Sequence, residues 1–251
     1  MKPWIETAPF INSYVGQTES TNLLLNSWCN EKTVAQFTTV VAGFQTAGRG
    51  QRGNKWESDE GMNLLFSTVL YPIFLAVKQQ FLLSQIISLA VKEVLDSFSE
   101  GFSIKWPNDI YHCDKKIAGI LIENDLSGNT ISRTIVGTGL NINQEAFHSD
   151  APNPISLRQI TGTVHDRKDI LQAVMLRFME YYNQLSNGET EEISSRYLAS
   201  LYRSRGMHTY TDASGEFQAE IFTVSPEGYL WLKDDKGGLR KYAFKEVQYI
   251  L

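Results

Sequence analysis

A glycine-rich loop, GRGQRGNKWES at residues 48–58, joins two short apolar segments. These segments, TTVVAGFQ at 38–45 and MNLLFSTVLY at 62–71, are rich in β-branched residues and are typical of buried strands. The loop matches the G-x-G-x-x-G spacing of dinucleotide-binding proteins, but that site requires a helix to begin within the glycine run. Because a strand follows instead, the pattern predicts a strand–loop–strand unit and makes a Rossmann fold a minor alternative.

The remaining pattern predicts an α+β domain followed by a small β domain. Apolar residues at helical spacing indicate helices at about 76–98, 166–185 and 191–202. Between the first two, SIKWP, IYHCD, KIAGILIEND and TISRTIVGTGLNIN predict an antiparallel meander. From residue 206 onward, five alternating segments separated by ASG, PEG and KGG predict a barrel of about 45 residues.

The composition of the 251-residue chain excludes several classes of protein. The net charge of -5 argues against general nucleic-acid binding, and 42% hydrophobic residues are ordinary for a globular protein. Cys29 and Cys113 belong to no C-x-x-C pattern, which fits a reducing compartment. The start lacks a secretion signal, and the longest apolar stretch, FLLSQIISLAVKEVL, is interrupted by polar residues. We therefore expect a cytoplasmic protein that does not bind membranes.

The glycine-rich loop carries the residue types of an anion site. Glycines let backbone N–H groups approach an anion closely, while Arg49 and Arg52 provide bidentate donors for phosphate or carboxylate. Lys55 adds charge, and the indole of Trp56 could stack on a base. A solvated basic β-turn would explain the same residues.

Two later segments could complete such a site. KWPNDIY places Lys105, Asn108 and Asp109 around a proline, and the oxygens of the latter two suit Mg²⁺. An Asx-turn that ends a hairpin is the alternative explanation. In KKIAGILIE, Lys116 precedes a strand in which Gly119 would let a flat ligand lie against the backbone. Alternatively, the lysine is a solvent-facing turn residue and the glycine relieves a bulge.

Two further segments allow both a structural and a binding interpretation. In TESTNLLLN, Ser20, Thr21 and Asn22 precede an apolar-periodic segment, which is typical of a helix N-cap. The same hydroxyl and amide groups could also bind a small polar ligand. GTGLNIN, which contains Asn141, could be a close-packed strand end or part of the same site.

Taken in order, ESTN, FQTAGRGQRGNKW, KWPNDIY, KKIAGILIE and GTGLNIN resemble segments of the biotin protein ligases, also called biotin–[acetyl-CoA-carboxylase] ligases. The resemblance implies a class II aminoacyl-tRNA synthetase-like mixed sheet with flanking helices at 1–204 and an SH3-like β-barrel at 205–251. It also implies a two-step reaction. The biotin carboxylate attacks the α-phosphate of MgATP to give biotinyl-5′-AMP, and a lysine of a biotin carboxyl carrier domain then displaces AMP.

The resemblance also assigns roles to residues. It implies that Arg49, Arg52 and Lys116 are catalytic because they stabilise the charge on the α-phosphate. The implied biotin contacts are Ser20, Thr21, Asn22, Gln45, Gly48, Arg49, Gly50, Gln51, Lys116 and Gly119. The implied ATP or adenylate contacts are Arg49, Arg52, Trp56, Lys105, Asn108, Lys116 and Asn141, with Asp109 as the Mg²⁺ ligand. Because the intermediate hydrolyses readily, the glycine loop is expected to close over it and to be mobile without ligand.

This sequence departs from the family in two places. Gln51 stands where the family often has an arginine that helps retain the adenylate, and glutamine brings no charge. Only about 18 residues precede ESTN, too few for the winged helix-turn-helix of relatives that repress transcription. We therefore expect a ligase without a DNA partner.

Three alternatives stay open at this point. The first is a lipoate–protein or octanoate–protein ligase of the same superfamily. The second is a non-catalytic module that binds a small molecule without turnover. The third concerns assembly, since the edge segment TISRTIV could pair across a homodimer or be covered within one chain.

Overall fold

The computed structural model describes residues 3–51, 54–148 and 153–250 of the protein. Its larger sheet is built from β1 (Asn12–Thr18), β2 (Thr39–Gln45), β3 (Leu64–Leu70), β4 (Phe102–Lys105), β5 (Asp109–His112), β6 (Lys115–Ser127) and β7 (Thr130–Leu140). These strands lie in the order β1-β2-β3-β7-β6-β5-β4. The β1–β2 pair is parallel and the other pairs are antiparallel, so the sheet is mixed, as predicted.

Helices cover both faces of this sheet. They are α1 (Thr21–Glu31), α2 (Phe81–Asp96), α3 (Leu157–Thr161), α4 (Arg167–Ser186) and α5 (Thr190–Ala199). Alternation along β2 shows the two faces: Val41 belongs to the large core beneath α2, α4 and α5, whereas Val40 packs with Leu25 of α1. Because both faces are covered, the side chains of β3 are all buried.

Helix α1 covers only part of its face, and this leaves room for a site. On β7, Ile135 packs with Leu25 of α1, and Gly137 and Gly139 follow it on the same face. Glycines have no side chain to fill the space beyond α1. The sheet therefore presents a shallow, backbone-lined surface beside the N-terminus of α1.

A second, antiparallel sheet is formed by the C-terminal residues. It contains β8 (His208–Asp212), β9 (Gly215–Val224), β10 (Leu230–Asp234), β11 (Leu239–Tyr242) and β12 (Gln248–Tyr249), in the order β11-β10-β9-β8-β12. It contacts the larger unit where Trp106 Nε1 donates to the Gly228 carbonyl at 3.1 Å. Gly228 has a φ of 96°, and an added Cβ would lie 2.8 Å from Phe81 Cδ2, so this contact requires glycine.

Most of the predicted elements are confirmed, with four differences. The segment TISRTIV is not at an edge, because it lies in β7, which pairs with β3 on one side and β6 on the other. The sequence reading missed β1 and the short helix α3. The segment IYHCD does not extend as a strand through Cys113, which has a φ of 49° in the β5–β6 turn. The domain boundary after residue 204 stays a prediction. Within the described ranges, no helix is long and apolar enough to cross a membrane.

Candidate active site

A cavity of about 570 Å³ joins all five of the sequence segments singled out above. Of the expected site residues, those that line it are Ser20, Thr21, Asn22, Gln45, Arg49, Gly50, Gln51, Trp56, Asn108, Asp109, Lys116, Gly119 and Asn141. Gly48 and Lys105 lie outside its described lining. Arg52 falls outside the described residues. Segments up to about 120 residues apart in the chain thus meet at one site.

The end of the cavity beside α1 is a network of neutral polar groups. Gln45 Oε1 accepts hydrogen bonds from the backbone N–H of Thr21 at 2.8 Å and from its hydroxyl at 3.1 Å. Ser67 Oγ lies 2.7 Å from Thr21 Oγ1 and 2.6 Å from Asn22 Oδ1. Ser20 occupies the N-cap position of α1 but makes no side-chain capping bond. These residues therefore form a buried polar wall as well as a helix start.

Lys116 and Asp109 form an ion pair on the cavity wall. Their Nζ and Oδ1 atoms are 2.7 Å apart, and each side chain is 30% exposed. A β-bulge between β5 and β6 turns Lys116 toward the cavity, since Ile117 and Ala118 both face the core. Lys116 and Gly119 consequently line the same cavity on either side of the bulge.

Trp56 lies flat on a surface made by two glycines. A Cβ added at Gly139 would be 2.5 Å from Trp56 Cε2, and one added at Gly119 would be 2.9 Å from Cζ3. Lys116 Nζ lies 5.8 Å from the centre of the indole ring. Only glycine at these strand positions allows an aromatic ring to approach the backbone so closely.

Three buried polar atoms of cavity-lining residues have no hydrogen-bond partner among the described residues. They are the donor Trp56 Nε1, the acceptor Asn141 Oδ1 and the hydroxyl Thr138 Oγ1. Buried polar groups in native proteins are nearly always paired, so each exception requires an explanation. The exceptions here all belong to residues that line one cavity.

The described ends of the glycine-rich loop form a hairpin. Gly50 donates from its backbone N–H to the Asn54 carbonyl at 2.7 Å, and Trp56 donates to the Gly48 carbonyl at 3.0 Å. A Cβ at Gly48 would lie 2.5 Å from the Trp56 carbonyl oxygen, so glycine is required there by the hairpin itself. The hairpin positions Arg49 and Trp56 at the cavity.

Lys105 lies at the junction of the two sheets. Its Nζ is 3.1 Å from Tyr111 Oη and 5.2 Å from the centre of the Tyr249 ring. Burial lowers the pKa of Lys105 and raises the pKa of Tyr111. Lys105 therefore packs against aromatic residues of both units, and its implied contact with ATP stays a prediction.

Several lining residues were not predicted from the sequence. Phe147 and Pro154 come from the connection after β7, and Phe244 comes from the turn between β11 and β12. A second cavity, of about 340 Å³, shares Gln51, Asn108 and Phe244 with the first, so the two are adjacent. None of Phe147, Pro154 and Phe244 belongs to a polar motif, so the sequence provided no reason to place them in the site.

Comparison with known proteins agrees with this geometry. A family model described as "Biotin/lipoate A/B protein ligase family" matches residues 14–141. A biotin–[acetyl-CoA-carboxylase] ligase of Paracoccus denitrificans is 32% identical over 173 residues, which cover 65% of this chain and 70% of that protein. The chain belongs to the biotin/lipoate A/B protein ligase family. The resemblance carried by the five segments is thereby confirmed.

Other members of the biotin/lipoate ligase family extend the comparison. The bifunctional ligase/repressor BirA of Bacillus subtilis is 30% identical over 221 residues, which cover 82% of this chain but only 64% of that protein. A solved structure of the Aquifex aeolicus biotin protein ligase in complex with biotin and ATP has a TM-score of 0.78 and 28% identity. That likeness covers 96% of this chain and 99% of the other, so it includes the C-terminal sheet.

Proposed function

We propose that the protein is an ATP-dependent ligase that activates biotin as biotinyl-5′-AMP and transfers it to a lysine of a biotin carboxyl carrier domain. The observation that carries this proposal is the single cavity in which Arg49 and Lys116 adjoin the indole of Trp56 and a neutral polar wall. A cationic centre between those two ends suits an acid joined to a nucleotide. The similar Aquifex aeolicus protein was solved with biotin and ATP, which supports the same pair of substrates.

In the first step, a carboxylate oxygen of biotin attacks the α-phosphorus of ATP, and the bond from that phosphorus to the pyrophosphate oxygen breaks. Negative charge on the phosphoryl oxygens increases during this displacement. The cations Arg49 and Lys116, which line the cavity, are proposed to stabilise that charge with the help of Arg52. The polar wall formed by Ser20, Thr21 and Gln45 is proposed to bind the head group of biotin, with Asn22, Gly50 and Gly119 beside it.

The adenylate is proposed to occupy the other end of the cavity. Its base would stack on the indole of Trp56, with its polar edge toward the unpaired Oδ1 of Asn141. Asn108 also lines this region. The described residues contain no cluster of three or more acidic, histidine or cysteine side chains, so a Mg²⁺ ion would rely on Asp109 and on phosphate oxygens. Bound there, it would neutralise phosphate charge.

In the second step, the amine of the acceptor lysine attacks the acyl carbon, the bond to the AMP oxygen breaks and the amine loses a proton. The second cavity is proposed as the approach route for this lysine, because it adjoins the first at Gln51, Asn108 and Phe244. Its lining includes the aromatic residues Trp106, Tyr229 and Phe244. Such a lining suits a lysine side chain, because aromatic faces attract its ammonium group.

Gln51→Arg is expected to slow the release of biotinyl-AMP by about tenfold, because a charge-assisted hydrogen bond replaces a neutral one. Gln51 lines the cavity, so an arginine there can reach the intermediate. The measurement is the rate of loss of labelled biotinyl-AMP from the protein after gel filtration. Gln51→Met is the matched control for side-chain length without charge, and equal release rates for Arg and Met variants would contradict the prediction.

Phe244→Ala is expected to increase escape of the intermediate into solution by about fivefold, since an aromatic contact contributes on the order of 1 kcal/mol. Phe244 lines both cavities. The centres of the Phe244 and Trp106 rings are 6.3 Å apart in an edge-to-face contact. Free biotinyl-AMP is quantified during turnover without acceptor. Phe222→Ala, which removes a 54% exposed phenylalanine from the C-terminal sheet, serves as the control. If biotinyl-AMP escapes at the wild-type rate from both variants, Phe244 has no role in retaining it.

The proposed function is tested by mass spectrometry of a carrier domain incubated with the protein, MgATP and biotin. We expect a single lysine to gain one biotinyl group, and we expect no gain with a carrier in which that lysine is arginine. Replacing biotin with lipoate or octanoate tests the related ligase activity. Transfer of lipoate but not biotin would replace the proposal, and no transfer of any acid would favour a binding module.

A further inference from the structure

Glu123 of β6 is hydrogen-bonded to two different parts of the site. Its Oε2 atom accepts a hydrogen bond from Asn22 Nδ2 at 2.7 Å. Its Oε1 atom lies 3.0 Å from Arg49 Nη2, and Oε2 lies 3.4 Å from Arg49 Nη1. One carboxylate therefore connects the start of α1 to the glycine-rich loop.

Hydrogen bonds hold both the nitrogen and the oxygen of the Asn22 side-chain amide. Its amide nitrogen is held by Glu123, and its carbonyl oxygen lies 2.6 Å from Ser67 Oγ. Gly137 leaves the space for this carboxamide, since a Cβ there would collide with Asn22 Oδ1. The orientation of the Asn22 amide is thus determined before any ligand binds.

Arg49 keeps donors for a ligand although it is paired. The guanidinium group has five N–H donors, and the two contacts with Glu123 use only one on each terminal nitrogen. Arg49 lines the cavity, whereas Glu123 is outside its described lining. The pair restricts a long, flexible side chain that otherwise loses rotamer freedom when the ligand binds.

We propose that Glu123 is a positioning residue that holds Arg49 and Asn22 in the arrangement that receives the substrate acid. This proposal rests on the proposed ligase function. Glu123 lies outside the described cavity lining, so it acts on the substrate only through Arg49 and Asn22. Its effect is to pre-organise the two side chains, so that less freedom is lost on binding.

A purely structural role for this ion pair predicts a different outcome. The side chains of Arg49 and Glu123 are 41% and 39% exposed, and ion pairs so exposed contribute little to stability. Removing the charge of Glu123 should therefore leave the thermal unfolding midpoint almost unchanged. In Glu123→Gln, the amide oxygen can still accept from Asn22, so the fold at α1 is kept and the pairing with Arg49 is weakened.

The test is the biotin dependence of ATP–pyrophosphate exchange in Glu123→Gln. We expect the KM for biotin to rise about fivefold while kcat changes by less than about twofold. In an Arg49→Met background, the same substitution should raise the KM no further, because the pairing that it weakens is already gone and the contact with Asn22 is kept. If Glu123→Gln destabilised the fold, the result could still be interpreted. Damage to the fold would raise the KM further in the Arg49→Met background, whereas loss of positioning would not.

Asp125→Asn is the matched control. Asp125 lies two residues farther along β6 and is also paired with an arginine, Arg133, at 2.6 Å. We expect this variant to keep the wild-type KM. A wild-type KM in Glu123→Gln, a lower KM, or an effect that adds to Arg49→Met would each overturn the positioning role while the ligase function stands. Absence of biotin-dependent exchange in the wild type would overturn both.

Discussion

Replacing Lys116 with methionine is expected to lower the rate of biotin-dependent pyrophosphate exchange by about two to three orders of magnitude, the usual effect of removing one donor that stabilises transition-state charge. Lys116 is held on the cavity wall by its 2.7 Å contact with Asp109 and by the β-bulge that precedes Gly119. Methionine keeps most of the length and apolar stem of lysine but removes the ammonium group. The loss should appear mainly in kcat, because the interaction strengthens as charge develops at phosphorus.

The neighbouring lysine provides the control for this experiment. Lys115 is exposed and outside the described cavity lining, so Lys115→Met should keep wild-type exchange. Thermal unfolding of both variants checks whether the carboxylate of Asp109, left without its partner, disturbs the fold. Exchange at a tenth of the wild-type rate or more in folded Lys116→Met would contradict the role assigned to this lysine.

Gly139→Val is expected to reduce exchange by about a hundredfold, with a rise in the KM for ATP. A Cβ at this position would be 2.5 Å from Trp56 Cε2 and 2.7 Å from Nε1, so the indole must leave the surface on which it lies. Such overpacking typically costs about 1–3 kcal/mol, and here the cost falls on the proposed stacking site for the base. Tryptophan fluorescence during ATP titration reports the displacement of Trp56.

The same substitution at another strand glycine shows whether the loss of exchange comes from displacing Trp56 or from placing valine in a strand. Gly16 of β1 has no atom within 4 Å of an added Cβ, so Gly16→Val should retain full exchange. Fluorescence and KM for ATP that match wild type in Gly139→Val would show that Trp56 does not need its glycine surface. The stacking role would then be wrong.

The segments that meet in the cavity were predictable because each carries residues whose chemistry is unusual at that spacing. Arg49 and Trp56 flank a glycine-rich turn, and Lys116 stands three residues before a strand glycine. Their meeting depends on the β-bulge at Ile117, which brings Lys116 and Gly119 to one face. No local pattern encodes that bulge, so the residues of the site were predictable and their geometry was not.

The features that were missed depend on contacts distant in sequence. Phe244 reaches the cavity from the turn between β11 and β12, almost 200 residues after the glycine-rich loop. The edge strand β1 was missed because its partly exposed residues show no strict alternation and its parallel pairing with β2 is not local. The short helix α3 offers too few residues for periodicity, although Ser156 and Gln159 form a capping box.

The central claim is that the cavity activates biotin with ATP, and ATP–pyrophosphate exchange tests it most directly. Purified protein is assayed with Mg²⁺ and ATP in the presence of biotin, of lipoate and of neither acid. Exchange that requires biotin, and that is not supported by lipoate, is the expected result. Folded protein that shows no exchange with biotin, or the same exchange without any acid, would contradict the account.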